Sequence, residues 1–197
     1  MEQAQVKELL LQSLEHERGG IQVYENAIRC ALNDDLKEEW EKYLEQTHKH
    51  ERILLWVFKE LGLDAEEHSP GRGIVKQLGQ ALVQAMQTAK KTGKPEAAEL
   101  IACECVVFAE TKDHADWELI TKAAETSTGT QRATLQAAAD EVEEQEDEHL
   151  YHSRGWCREL WIQSLGMKAV LPPPEERKHV TTAIGAARAE QESEQGR

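Results

Sequence analysis

Apolar residues recur every three or four positions over four long stretches, the spacing of a helix with one buried stripe. Residues 3–32 carry Leu10, Leu14, Ile21, Tyr24 and Ile28, and the stretch stops at Asn33-Asp34-Asp35. Residues 35–61 follow and end at Gly62. A shorter amphipathic stretch with Ile74, Leu78, Leu82 and Met86 stops at Thr92-Gly93-Lys94-Pro95. Residues 96–125 form the third long stretch, broken by a Thr/Ser/Gly cluster at 126–130, and residues 131–165 form the fourth, ending at Gly166. All five prolines, Pro70, Pro95 and Pro172 to Pro174, fall in or beside the breaks. Each long segment would span about 40–50 Å as a helix. The pattern therefore predicts an all-α four-helix bundle over residues 1–171. Short joints make the first and second helices antiparallel, and likewise the third and fourth, while one long crossover containing a short helix links the pairs. Residues 172–197 open on the proline run and have few large apolar side chains, which predicts a mobile, disordered tail.

Composition narrows the function. The chain has 197 residues and a formal net charge of −14. Nucleic-acid phosphates are poor partners for such a surface, and cations are better ones. No apolar run approaches the roughly 20 residues needed to span a bilayer, so no membrane association is expected. The N-terminal residues lack a basic stretch followed by an apolar one, which makes the cytoplasm the expected compartment. Cys30, Cys103, Cys105 and Cys157 are read as reduced, mostly buried thiols. The five tryptophans are read as core and as a dimer contact, giving a homodimer or larger homo-oligomer.

Polar residues interrupt the apolar stripes at comparable depths. Glu17 lies on the stripe of the first segment, Glu110 and His114 on that of the third, and Glu146 with His149 on that of the fourth. The second segment reads less cleanly: Leu44, His48, Glu51, Leu55 and Phe58 lie along one stripe, with Glu45 beside it and sharing a face with His48. Four ionised carboxylates inside an apolar bundle cost several kcal/mol each unless something positive sits among them. Two divalent cations meet that need. A glutamate from each of two helices and Glu-x-x-His from each of the other two is a donor set for such a pair. The candidates are Glu17, Glu45, His48, Glu110, Glu146 and His149. Tyr24 is expected to bond a buried carboxylate, His114 to orient Glu110, and His152 to lie nearby. Gly19-Gly20, costly inside a helix, points to close approach of a neighbour.

These residues carry a resemblance. The chain is similar to the ferritin-like superfamily over residues 3–165. Glu17-Arg-Gly-Gly-Ile-Gln-Val-Tyr24 resembles the first-helix Glu-x6-Tyr of bacterioferritins and rubrerythrins. Glu146-Asp-Glu-His149 resembles their last-helix Glu-x-x-His, and Glu110 with Ala124 resembles their third helix. Tyr43-Leu-Glu-Gln-Thr-His-Lys-His50 and the helical crossover are similar to the ferritin-like stress proteins, a comparison that favours His50 over His48; the i, i+3 relation to Glu45 favours His48, the assignment taken here. The resemblance implies a di-iron or di-manganese site that reacts with dioxygen or peroxide. It implies Glu17 and Glu110 as terminal ligands, Glu45 and Glu146 as bridging ones, and His48 and His149 as nitrogen ligands. Oxidation of Fe(II), or reduction of dioxygen or peroxide, is the expected activity. A non-catalytic metal-binding or stress-response bundle acting through a partner is the alternative.

Overall fold

The computed structural model describes residues 3–195, and every regular element among them is helical. The long helices are α1 (Gln3–Ile28), α2 (Asp34–Glu60), α3 (Pro70–Thr92), α4 (Pro95–Thr126) and α5 (Gly129–Ser164); α6 (Pro174–Arg177) and α7 (Ala183–Gln195) complete the chain. The boundaries follow local chemistry. The Asn33 side chain accepts the Leu36 N–H at 3.1 Å, and Asp34 and Asp35 occupy the first turn of α2, where an acid opposes the helix dipole. Ser69 does the same for the Arg72 N–H at 3.0 Å with Pro70 in the first turn. Gly62 follows α2 in the left-handed region at φ 64°, a conformation that other side chains resist.

Helices α1, α2, α5 and α4 pack in a closed cycle. Cross-helix contacts fix their directions. Glu17 meets Trp117 while Tyr24 meets Glu110, so α1 and α4 are antiparallel. Tyr43 meets His152 while Gln145 meets His50, so α2 and α5 are antiparallel too. Arg18–Glu51 and Gly20–Thr47 give the same relation for α1 and α2. Helix α3 makes the crossover, running parallel to α1 from Arg72–Glu15 to Lys90–Arg29. It spans 23 residues, longer than the short helix expected there: it ends at Thr92, as the sequence places it, and begins at Pro70, which suits a first helical turn. A Cβ built on Gly79 would stand 3.5 Å from the Gly19 Cα, so the expected close approach at Gly19 is the α1–α3 crossing. Cys30, Cys103, Cys105 and Cys157 are free thiols, the first three buried.

The interior is two apolar cores stacked along the bundle. One holds Tyr24, Trp40, Tyr43, Met86, Val106 and Trp156; the other holds Leu10, Leu14, Leu54, Phe58, Trp117, Leu135 and Val142. On each of the four helices buried acids or histidines lie between these two sets, Glu17 on α1, His50 on α2, Glu110 and Asp113 on α4, and Glu146 and His149 on α5, so a belt of hydrophilic side chains divides the core.

The expectation of a mobile tail is corrected for residues 174–195; residues 196 and 197 lie outside the described residues. Glu175 is buried and takes a bidentate ion pair from Arg158 at 2.6 and 3.1 Å. The Trp156 N–H donates to Glu176, and the Ser193 hydroxyl donates 2.5 Å to Glu159, itself fully buried. Polar contacts and small residues dock this segment, which is why apolar periodicity does not reveal it.

Gly155 is the tightest point of that docking: an added Cβ would lie 2.6 Å from Glu175 Oε2 and 3.0 Å from Pro173 Cβ. Gly155→Ala should therefore release the segment and speed limited tryptic cleavage after Arg177 and Lys178 several-fold. Gly73→Ala, whose Cβ meets nothing within 4 Å, should leave the cleavage rate unchanged. Equal digestion rates for the two variants would show that α6 and α7 do not depend on this contact.

Candidate metal centre

The polar belt is built from one or two residues of each helix in the cycle. Helix α1 supplies Glu17, α2 supplies His50, α4 supplies Glu110 and Asp113, and α5 supplies Glu146 and His149; each is at most 3% exposed. Their ligand atoms form two groups, Glu17–His50–Glu146 and Glu110–Glu146–His149, and within each group the atoms all lie within 4.8 Å of one another. Glu146 belongs to both. His50 Nδ1 is 2.9 Å from Glu146 Oε1 and 3.8 Å from Glu17 Oε1. His149 Nδ1 is 3.3 Å from the same Glu146 oxygen and 3.4 Å from Glu110 Oε2.

These approaches are close, yet they lack the alignment of hydrogen bonds. Glu17 Oε2, His50 Nδ1, Glu110 Oε2, Asp113 Oδ1, both Glu146 oxygens and His149 Nδ1 are buried without a hydrogen-bond partner. Among the described residues only His152 Nε2 and Ser153 Oγ share that condition. Buried polar atoms are almost always satisfied, so seven unpartnered ones on four adjoining helices mark a set of donors that a ligand could satisfy. Carboxylate oxygens and imidazole nitrogens are donors suited to iron, manganese or zinc. Either group could hold such an ion.

The electrostatics agree. Burial raises the Glu17 carboxyl well above its ordinary range, with repulsion from Glu146 adding to it and the Trp117 hydrogen bond opposing. Burial likewise raises Asp113, reinforced by Glu146, Glu17 and Glu110. Burial disfavours charge on Glu146 and His149 as well, but their mutual attraction wins, holding Glu146 low and pushing His149 up to about 9. Among the described residues no lysine or arginine pairs with any of the four acids.

Outer contacts hold the donors in place. Tyr24 donates 2.8 Å to Glu110 Oε1, as expected, and the Trp117 N–H donates 2.9 Å to Glu17 Oε1. His149 Nε2–H donates to Gln46 Oε1 at 2.9 Å, and His50 Nε2–H donates to Gln145 Oε1 at 3.0 Å.

The sequence assignments meet this geometry unevenly. Glu17, Glu110, Glu146 and His149 come together, while Glu45 and His48 do not: Glu45 is exposed, His48 only half-buried. The inner face of α2 is Trp40, Tyr43, Thr47, His50, Leu54 and Phe58. The stripe through Leu44, His48, Glu51 and Leu55 is rotated from it by one residue, about 100° of helix. His50 is therefore the α2 imidazole that faces the belt, and the residue three before it is Thr47, whose hydroxyl donates 2.8 Å to the Tyr43 carbonyl. A similar rotation on α4 hid Asp113. His114 faces sideways and bonds Asp147 Oδ1 at 2.8 Å rather than Glu110. The i, i+3 spacing of Glu110 and Asp113 was the available signal. His152 stands apart with Tyr43 and Glu39: its Nδ1 lies 2.9 Å from the Tyr43 hydroxyl and 3.2 Å from Glu39 Oε1.

No protein-family model, curated protein or solved structure matches this chain.

Two predictions follow from the charges. Glu17→Gln keeps an acceptor for Trp117 and removes the cost of either burying that carboxyl ionised or protonating it on folding, so in EDTA at neutral pH it should stabilise the protein to urea by about 1–3 kcal/mol; destabilisation would mean that Glu17 is already compensated. Burial opposes the Glu39 charge, but hydrogen bonds from His152 and Tyr43, with Lys42 nearby, outweigh it and hold the carboxyl at about 2. A depressed folded-state value gives stability that is present above the unfolded value near 4.5 and is lost as pH falls toward 2. Glu39→Gln should therefore flatten the stability profile between those pH values, as read by denaturant titrations in that window.

Proposed function

We propose that this chain is a ferritin-like carboxylate protein that holds two divalent ions, iron or manganese, inside its helical bundle and uses them to oxidise Fe(II) or to reduce dioxygen or peroxide. The observation that carries this reading is the meeting of two buried donor groups, Glu17–His50–Glu146 and Glu110–Glu146–His149, at one shared carboxylate, with unpartnered atoms on every one of these residues. The likeness of Glu17-x6-Tyr24 and Glu146-x-x-His149 to bacterioferritins and rubrerythrins supports it.

Glu17, His50 and Glu146 would hold one ion and Glu110, Glu146 and His149 the other; Asp113 is a fourth buried acid of the belt. Four carboxylates balance the charge of two divalent ions. When bound, such ions supply Lewis acidity and one electron each toward an oxidant. The protein's part is orientation and exclusion. Tyr24 and Trp117 fix one oxygen each of Glu110 and Glu17 and leave the second free. The apolar cores above and below the belt keep bulk water away, so charge changes are confined to these side chains.

One observation favours a second reading, in which the bundle holds metal without turnover and acts through a partner. Helix α2 carries Thr47 where a second shared carboxylate would stand relative to His50. Oxidation and mere retention are separated by experiment. Anaerobic titration with Fe(II) should saturate at two ions per chain and raise stability by about 2.7 kcal/mol for each ion bound at a hundredfold excess over its dissociation constant. Admission of air should then produce near-ultraviolet ferric absorbance that Glu17→Ala and Glu110→Ala abolish. Binding without that absorbance supports retention alone. Absence of stoichiometric binding, with an unchanged melting curve, overturns both readings.

A further inference from the structure

Helices α2 and α5 present their histidines with the same local pattern, Gln46-x3-His50 and Gln145-x3-His149. Each glutamine nonetheless serves the histidine of the other helix. Gln46 Oε1 accepts from His149 at 2.9 Å and Gln145 Oε1 accepts from His50 at 3.0 Å, forming two crossed straps over the outer side of the belt. The centroids of the two imidazole rings are 5.7 Å apart, with their planes inclined by 30°.

An amide oxygen only accepts, so each strap requires a proton on Nε2. In a neutral imidazole the lone pair then resides on Nδ1. Both Nδ1 atoms are buried without a hydrogen-bond partner and stand among the oxygens of Glu17, Glu110 and Glu146. The amide is also uncharged. A carboxylate at either strap would add a fifth negative charge to the buried set and draw the Nε2 proton toward itself, making the ring a stronger donor. The amide leaves a neutral ring and a charge balance matched to divalent ions.

We infer that Gln46 and Gln145 are positioning residues that hold His149 and His50, each across the α2–α5 interface, with Nδ1 as the metal-facing nitrogen. The inference rests on the metal reading above and concerns residues outside the donor set. Outer-shell partners of this kind commonly contribute 10–100-fold to metal affinity.

The test uses zinc(II), which is diamagnetic and binds the same donor types. In long-range proton–nitrogen correlation spectra of the zinc-loaded full chain, His50 and His149 should each show a protonated Nε2 and a metal-shifted Nδ1. Gln46→Ala should weaken zinc binding about 10–100-fold and disturb the His149 signals while sparing His50; Gln145→Ala should do the reverse. Gln46→Glu and Gln145→Glu, which keep an acceptor opposite Nε2, should recover zinc binding relative to the alanine variants with zinc still on Nδ1, while the added charge shifts the Nε2 proton signal away from that of the unsubstituted chain. Nε2-bound zinc in the unsubstituted chain, or alanine variants with unchanged affinity and unchanged histidine signals, overturns the inference and leaves the metal reading standing. An unsubstituted chain that takes up no zinc overturns both.

Discussion

The rest of the structure depends on the cost of gathering Glu17, Glu110, Asp113 and Glu146 inside a helical bundle without a lysine or arginine among them. Two imidazoles offset only part of that charge, and seven donor atoms are left without a hydrogen-bond partner. Folding tolerates this because the belt is thin. Apolar cores on both sides, anchored by Trp117 and Phe58 at one end and by Trp40 and Trp156 at the other, bring the helices together regardless of what lies between. The belt is a local conflict between folding and some other requirement, and such conflicts are where function is usually found.

The helix directions make the belt possible. With α1 antiparallel to α4 and α2 antiparallel to α5, a residue near the middle of each helix reaches the same depth. Helix α3 then has to run the length of the bundle alongside α1 to reach the start of α4. Its backbone approaches closely at Gly19 and Gly79, where neither helix projects a side chain into the crossing.

How much of this was readable depended on how cleanly each helix separates its faces. On α5, Leu135, Ala138, Val142, Glu146, His149, Trp156 and Leu160 are all buried, and counting by threes and fours finds them directly. On α2 the half-buried Leu44 and Leu55 imitate a stripe one residue away from the real one, which contains Thr47 and His50 and so looks polar. On α4 the partly buried His114 drew attention from Asp113, whose acidic side chain is an improbable core residue until its neighbours are known. The tail escaped for a different reason: Arg158–Glu175 and Ser193–Glu159 are specific polar contacts between residues far apart in sequence, and no periodicity announces them.

Glu146 is the one side chain common to both donor groups. Any two cations seated there would compete for, or divide between them, the oxygens of a single flexible carboxylate, so the two occupancies are thermodynamically coupled by construction. Whatever the first does to the rotamer and charge of that group, the second inherits, and linkage makes the effect reciprocal. If both donor groups take an ion, the filling curve would be a property of the pair rather than a sum of two independent isotherms.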